Sequence, residues 1–244
     1  MKKADAPKSI LVWDTETTGT DVEKDRILTC YAMLKGIDGT LIKEWSWTID
    51  PGVPVGPKAS EIHGMTTAWI QENGRKDAKQ AIEEIYDVLV DAVNEDVPIV
   101  AYNQPFDLTL LDREMMRHGY VNGVKWVVDN GLFFDPIVFD RAVDKYRKGK
   151  RKLMNVAGAY GIELDESRLH EARYDVEVTS KLTWVLFQRK CRWTLEELQP
   201  LLKKWKKGQA ESLQAHFARA GKFNDDGSPI IIETGFPYNE RPMW

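Results

Sequence analysis

Ser9-Ile10-Leu11-Val12-Trp13-Asp14-Thr15-Glu16-Thr17-Thr18-Gly19 is the stretch from which the rest of the chain is read. Residues 9–14 form a short, mostly apolar run, the pattern of a strand buried in a mixed sheet. Asp14 and Glu16 stand two residues apart at its end, so a strand presents both carboxylates on one face. At a solvated strand end such a pair would be ordinary. Here the apolar run leads into it, and the carboxyl end of a buried central strand opens onto a cleft. Gly19, with no side chain, would let a ligand approach the backbone of Thr17 and Thr18 closely.

Outward from this strand the pattern predicts residues 26–35 and 40–49 as two more strands, joined by the turn sequence Gly36-Ile37-Asp38-Gly39. Pro51-Gly-Val-Pro-Val-Gly-Pro57 reads as loop. Between 77 and 94, Ile82, Ile85, Val88, Leu89, Ala92 and Val93 recur at helical spacing. Residues 97–101 predict a fourth strand, and Pro105 suits the first position of a helix reaching about His118. A fifth strand follows near 132–135, then helices near 153–160 and 172–190. This order predicts an α/β fold, a mixed five-stranded sheet flanked by helices. Beyond residue 193 a basic, Trp-containing helical stretch leads into a Gly/Pro/Asn-rich tail. The expected division is a main domain at 1–192 and a C-terminal helical appendage with its tail at 193–244.

Two more carboxylates sit where a carboxylate needs a reason. Asp107, in Tyr102-Asn103-Gln104-Pro105-Phe106-Asp107, lies in the first turn of its helix and shares a face with Leu110 and Leu111. An N-terminal Asp can simply serve the helix dipole, but one on a buried stripe needs a partner. Asp175 repeats the case, in line with Val178, Thr179, Leu182 and Val185. His170 precedes it by five residues, and a His beside an inward-facing Asp is placed for acid–base work. Four converging carboxylates repel by about 4 kcal/mol per pair at 4 Å in an effective dielectric near 20. A cation makes such a cluster tolerable, and an all-oxygen set selects Mg²⁺ or Mn²⁺. Two such ions are the recurring device for in-line phosphodiester displacement, with a His to take the proton of the attacking water.

Asp-x-Glu-Thr-Thr-Gly, Asn-x-x-Phe-Asp and His-x4-Asp, in that order, resemble the motifs of the DEDDh (DnaQ-like) family of 3′–5′ exonucleases. The resemblance covers roughly residues 9–190. It extends to His63-Gly64-Met65-Thr66, between the first two motifs, and to the stretch from Leu153 to Ile162 before the third. It implies a ribonuclease H-like fold, with Asp14, Glu16, Asp107 and Asp175 holding two divalent cations, Mg²⁺ or Mn²⁺, and His170 as general base. A sister branch carries Tyr four residues before the last Asp; Glu171 stands there, which indicates the His branch. Many members have His where this chain has Tyr102, a departure that bears on packing near Asn103. By resemblance His63 and Met65 pack against the terminal base or sugar, and Asn103 and Phe106 belong to the substrate side.

The chain has 244 residues and a net charge of −4, so it is no polycation, but nucleic-acid binding depends on where the charge sits. Lys145, Arg147, Lys148, Lys150, Arg151 and Lys152 crowd into eight positions. They make either a solvated loop or a phosphate-binding ridge in which Lys148, Lys150 and Arg151 contact substrate. Trp205 among Lys203, Lys204, Lys206 and Lys207 mixes an aromatic with cations as single-strand binders do. Two cysteines make no disulfide framework; the apolar run behind the N-terminus is too short for a signal peptide, and no window spans a membrane. The expectation is therefore a cytoplasmic exonuclease releasing nucleoside 5′-monophosphates from a single-stranded DNA 3′ end, of proofreading or repair type. An exoribonuclease acting on RNA and a non-catalytic binding module are the alternatives. No polymerase domain fits in this length, so a DNA polymerase partner would act in trans.

Overall fold

The computed structural model describes residues 6–165, 168, 171–224 and 227–241. Its sheet has five strands in the order β3-β2-β1-β4-β5. β1 (Ser9–Thr17) is the central strand, antiparallel to β2 (Ile27–Gly36) and parallel to β4 (Ile99–Val100). β2 pairs antiparallel with β3 (Leu41–Thr48), and β4 parallel with β5 (Phe133–Phe134). Ile10, Leu11, Val12 and Trp13 are all buried, as an apolar run flanked by structure on both faces must be. β3 is the outer strand and most of it is exposed.

β2 and β3 agree with the pattern in sequence to within a residue, and β1 runs three residues past the expected 9–14. The β2–β3 turn closes through Gly36 N donating to Thr40 O and Gly39 N donating to Gly36 O, with Gly39 at φ 86°, a conformation Gly adopts without steric cost. β4 is shorter than 97–101, where Pro98 offers no N–H to a ladder, and β5 is shorter than 132–135, where Asp135 already caps α6.

α3 (Ala78–Asn94) buries Ala81, Ile82, Ile85, Val88, Leu89 and Ala92, the stripe that its sequence displays. It carries the chain across the sheet into β4, after which α4 (Gln104–Arg117) leads to β5. α8 (Ala172–Arg189) lies against β1 and β2. Four further helices had no strong periodic signal: α1 (Pro57–His63), α2 (Thr67–Asn73), α5 (Lys125–Asn130) and α6 (Pro136–Val143). Each spans at most eight residues, too short for an amphipathic stripe to register. α7 (Leu153–Ala159) precedes α8.

α9 (Leu195–Arg219) starts with a capping box between Thr194 and Glu197, which satisfies two orphan N–H groups at once. It packs on α6 and β5, and its Leu198 and Leu202 join the main core. Gln199 seals the open edge of β5: its Oε1 accepts from Phe133 N and its Nε2 donates to Phe133 O, both at 3.0 Å. An exposed strand edge is thereby closed by one amide. The tail returns over α4, where Asn239 N donates to Thr109 Oγ1 and Arg241 pairs with buried Asp112 at 3.1 Å. No described helix is long and apolar enough to cross a membrane.

Candidate active site

The carboxyl end of β1 brings the expected carboxylates together. Asp14 and Glu16 face α8, whose first turn carries Asp175, and the three offer oxygen atoms that all lie within 4.8 Å of one another. Thr15 points to the opposite face. There its N and Oγ1 donate to Asp107 Oδ1 at 3.2 and 2.7 Å, which ties the first turn of α4 to β1. The fourth carboxylate thus reaches the site from the other side of the sheet.

The energetic consequence is a site that resists ionisation on its own. Burial raises the Asp14 carboxyl well above its ordinary range, and Asp107, Glu16 and Asp175 push it further up. Glu16 is pushed up to about 8, by burial first and then by Asp175 and Asp107. Asp107 is pushed up to about 7 by burial, against the opposing pull of its hydrogen bonds from Thr15. Repulsion and desolvation of this kind are relieved by a cation, and the donors are all hard oxygens. The residues fit a divalent-metal site.

The neighbouring segments are held by polar contacts around the bulge between Glu16 and Thr17. His63 Nδ1 accepts from Met65 N at 3.1 Å, so the ring proton resides on Nε2, which donates to Thr17 O at 3.1 Å. That ring fastens the α1–α2 connection to the end of β1. Thr17 Oγ1 donates to Gly19 O, and Thr18 Oγ1 donates to Asp25 Oδ1 while accepting from Arg26 N. A Cβ at Gly19 would lie 2.5 Å from Asp25 Oδ2, so the residue is a glycine because Asp25 occupies the space.

Asn103 takes the left-handed conformation, which Asn tolerates better than most residues, and it is exposed just ahead of α4. Its N–H and that of Gln104 donate to the two oxygens of Asp135, at 3.2 and 3.1 Å. Asp135 also caps α6 through Ile137 N. One fully buried carboxylate therefore fixes the start of the helix that bears Asp107, and burial pushes its own pKa up to about 6. Its signal in sequence is Asp135-Pro136 directly after an apolar pair, the pattern of a capped helix start. Phe106, half-buried, packs against the main core.

A cleft of about 570 Å³ opens from Glu16 across β2 and β3. His63 and Met65 line it on one side, Trp45 and Trp47 on the sheet, and Arg173 of α8 on the other. Arg173 pairs with Glu44 at 3.2 Å, and Tyr31 Oη donates to the same carboxylate. Nothing in the local sequence marks Tyr31, Trp45 or Arg173 as cleft residues, because the alternation of a strand does not say which face meets a ligand. His170 lies outside the described residues.

The basic loop divides in two. Lys148 and Lys150 are exposed. Arg151 and Arg147 both pair with Asp140, which is wholly buried, and Arg151 also donates to the carbonyls of Asp144 and Arg147. The Arg151 guanidinium therefore braces the loop, while Tyr102 Oη donates to Arg151 O at 2.6 Å. Tyr102 thus anchors the basic loop beside Asn103.

Comparison with known proteins adds a family match over this core. The RNase_T model, described as exonuclease, matches residues 11–183. A PolC-type DNA polymerase III of Streptococcus thermophilus is 27% identical over 193 residues, covering 77% of this chain and 12% of that protein. Exonuclease I superposes with a TM-score of 0.62 at 22% identity, over 88% of this chain and 46% of that one. E. coli exonuclease I in complex with a dT13 oligonucleotide superposes with a TM-score of 0.60 at 22% identity, over 86% and 46%. The chain thus spans less than half the length of these relatives, and the shared fold is ribonuclease H-like.

Proposed function

From the premise that this chain belongs to the RNase_T family of exonucleases, we propose that it releases nucleoside 5′-monophosphates from the 3′ end of single-stranded DNA by metal-dependent hydrolysis. The observation that carries the reading is the convergence of Asp14, Glu16 and Asp175 within 4.8 Å, beside buried Asp107. Asp14, Glu16, Asp107 and Asp175 would hold two divalent cations, Mg²⁺ or Mn²⁺. Such ions supply a nucleophile at neutral pH and stabilise the charge on the leaving 3′-oxygen.

The remaining work falls to the chain's own side chains. His170 would accept the proton of the attacking water. His63 and Met65 would pack against the terminal nucleotide in the cleft, whose aromatic floor offers surfaces for bases. The backbone at Thr17, Thr18 and Gly19, with Asn103 and Phe106, would border the scissile end. Lys148 and Lys150 would meet phosphates, and Arg151 would keep their loop in shape.

DNA is favoured over RNA because the matched relatives are DNA polymerases by name and one matched structure holds a DNA oligonucleotide. The same relatives, polymerases by name, support a role in proofreading or repair alongside a DNA polymerase. We take residues 1–192 as the hydrolytic unit and 193–244 as an appended helix and strap. The test is release of label from matched 3′-labelled DNA and RNA strands with Mg²⁺. DNA should be degraded faster, and Asp14→Asn or Asp175→Asn should abolish release from both. Faster release from RNA would reassign the substrate, and full activity in either variant would overturn the site.

A further inference from the structure

A second groove, of about 930 Å³, lies between α6, the loop that follows it, and α9. It takes Arg141 and Lys145 from one side and Lys204 and Arg219 from the other, with Arg147 and Arg151 at its edge. None of its lining residues is acidic, in a chain whose net charge is −4. Asp140 and Asp144 lie nearby, but Arg147 and Arg151 neutralise them. Among the described residues Arg141, Lys204 and Arg219 have no salt bridge to a carboxylate, so their charge faces the groove uncompensated. Trp205, half-buried against Phe139 and Trp193, adds an aromatic surface among these cations.

The walls of the groove are braced against the segment that leads into α4 and Asp107. α6 begins at Asp135, the residue that holds the backbone of Asn103 and Gln104, and Arg141 follows six residues on, about 9 Å along the helix. The loop wall is joined to Tyr102 through Arg151 O. From Lys204 to Arg219 the groove runs fifteen residues of α9, about 22 Å at 1.5 Å per residue. A phosphate or a mononucleotide would fill only part of that length, whereas a strand of several nucleotides would fill it.

We propose that the α6–α9 groove is a binding track for the phosphate backbone of single-stranded DNA upstream of the hydrolysed end. The inference rests on the exonuclease reading for the identity of the strand, while the groove itself stands on its charge and shape. Arg141, Lys204 and Arg219 neutralise phosphates spaced along the groove, and Trp205 supplies a stacking surface that tolerates any base. Affinity should therefore grow with strand length beyond what the carboxylate site covers, and it should fall steeply with salt.

The test is fluorescence anisotropy of 5′-labelled single-stranded DNA of 4 and 20 nucleotides, in chelator, from 0.05 to 0.3 M salt. The wild type should bind the longer strand far more tightly. The triple variant Arg141→Ala/Lys204→Ala/Arg219→Ala should lose about a hundredfold in affinity for it at 0.1 M salt, and its salt slope should fall by about 2, at ~0.7 per lost phosphate contact. Gly208→Glu covers the case in which that variant does not fold. Gly208 lines the groove, a Cβ there meets nothing within 4 Å, and the added carboxylate should cost about fivefold. Unchanged affinity and slope in both variants would overturn the proposal. So would equal affinity of the wild type for a ten-residue polyglutamate, which would make the groove a peptide site. If the wild type shows the length and salt dependence but releases no nucleotide with Mg²⁺, the groove stands and the exonuclease reading fails.

Discussion

Residue by residue, the site is organised by carboxylates that the fold forces together. Glu16 carries this into solution behaviour. Its pKa rises from 4.5 to about 8 in the folded, metal-free protein, so between those values the folded state holds a proton that the unfolded chain has released. Stability therefore falls as pH rises through that window. A divalent cation, which binds the ionised carboxylates, opposes the fall. Melting temperature in chelator should drop from pH 5 to pH 8, Mg²⁺ should flatten the drop, and Glu16→Gln should remove part of it. The same pH dependence with and without Mg²⁺ would count against the cluster as a cation site. His170 has a separate role in this account. His170→Ala should keep Mg²⁺ and DNA bound while losing ~10²–10⁴ in single-turnover rate, together with the rise in rate with pH that the wild type shows as the imidazole deprotonates. Loss of Mg²⁺ affinity in that variant, seen by calorimetry, would make it a ligand instead.

At the level of elements, the carboxylate-bearing segments were legible in sequence. An acidic residue on an apolar strand end, or on the inward stripe of a helix, conflicts with its surroundings and so announces itself. The supports were less legible, because a brace and its target are joined only by the fold. Asp140 and Arg151 form such a pair, as do Gln199 and Phe133. Short helices α1, α2, α5 and α6 depend on tertiary packing rather than on periodicity. Asp135 is the clearest case of a support with a consequence for function, since it holds the start of α4. Asp135→Asn keeps the volume but offers one acceptor oxygen where three N–H groups donate to two. It should lower the rate by ~10–100-fold and raise the Mg²⁺ concentration needed for half-activation; an unchanged Mg²⁺ requirement would confine Asp135 to a structural role. The basic loop offers a second contrast. Arg151→Ala should destabilise the protein by about 1–3 kcal/mol, as a buried acceptor loses a donor, whereas Lys148→Ala/Lys150→Ala should leave the melting temperature within a degree or two and weaken DNA binding. Equal destabilisation by both variants, read by thermal melts, would contradict the division of the loop.

Across the whole molecule, the carboxyl end of the central strand gathers the carboxylates. β1 supplies two carboxylates at its carboxyl end, α4 and α8 bring one each, and the cleft over β2 and β3 leads into them. α9 and the tail close the far side, sealing β5 and tying α4 through Asn239 and Arg241. The mixed five-stranded sheet followed from the alternation of strands and helices; the order of its strands did not. The course of the tail did not, since Gly/Pro/Asn-rich chain carries no period from which a docking face could be read. The central claim is that this site hydrolyses DNA from the 3′ end with divalent cations held by Asp14, Glu16, Asp107 and Asp175. Its most direct measurement is chromatographic identification of the first nucleotide released from a single-stranded DNA with different residues at its two ends. With Mg²⁺ the first product should be the 5′-monophosphate of the 3′-terminal nucleoside, and in chelator there should be none. Release of the 5′-terminal residue first, a 3′-monophosphate product, or undiminished release in chelator would contradict the account.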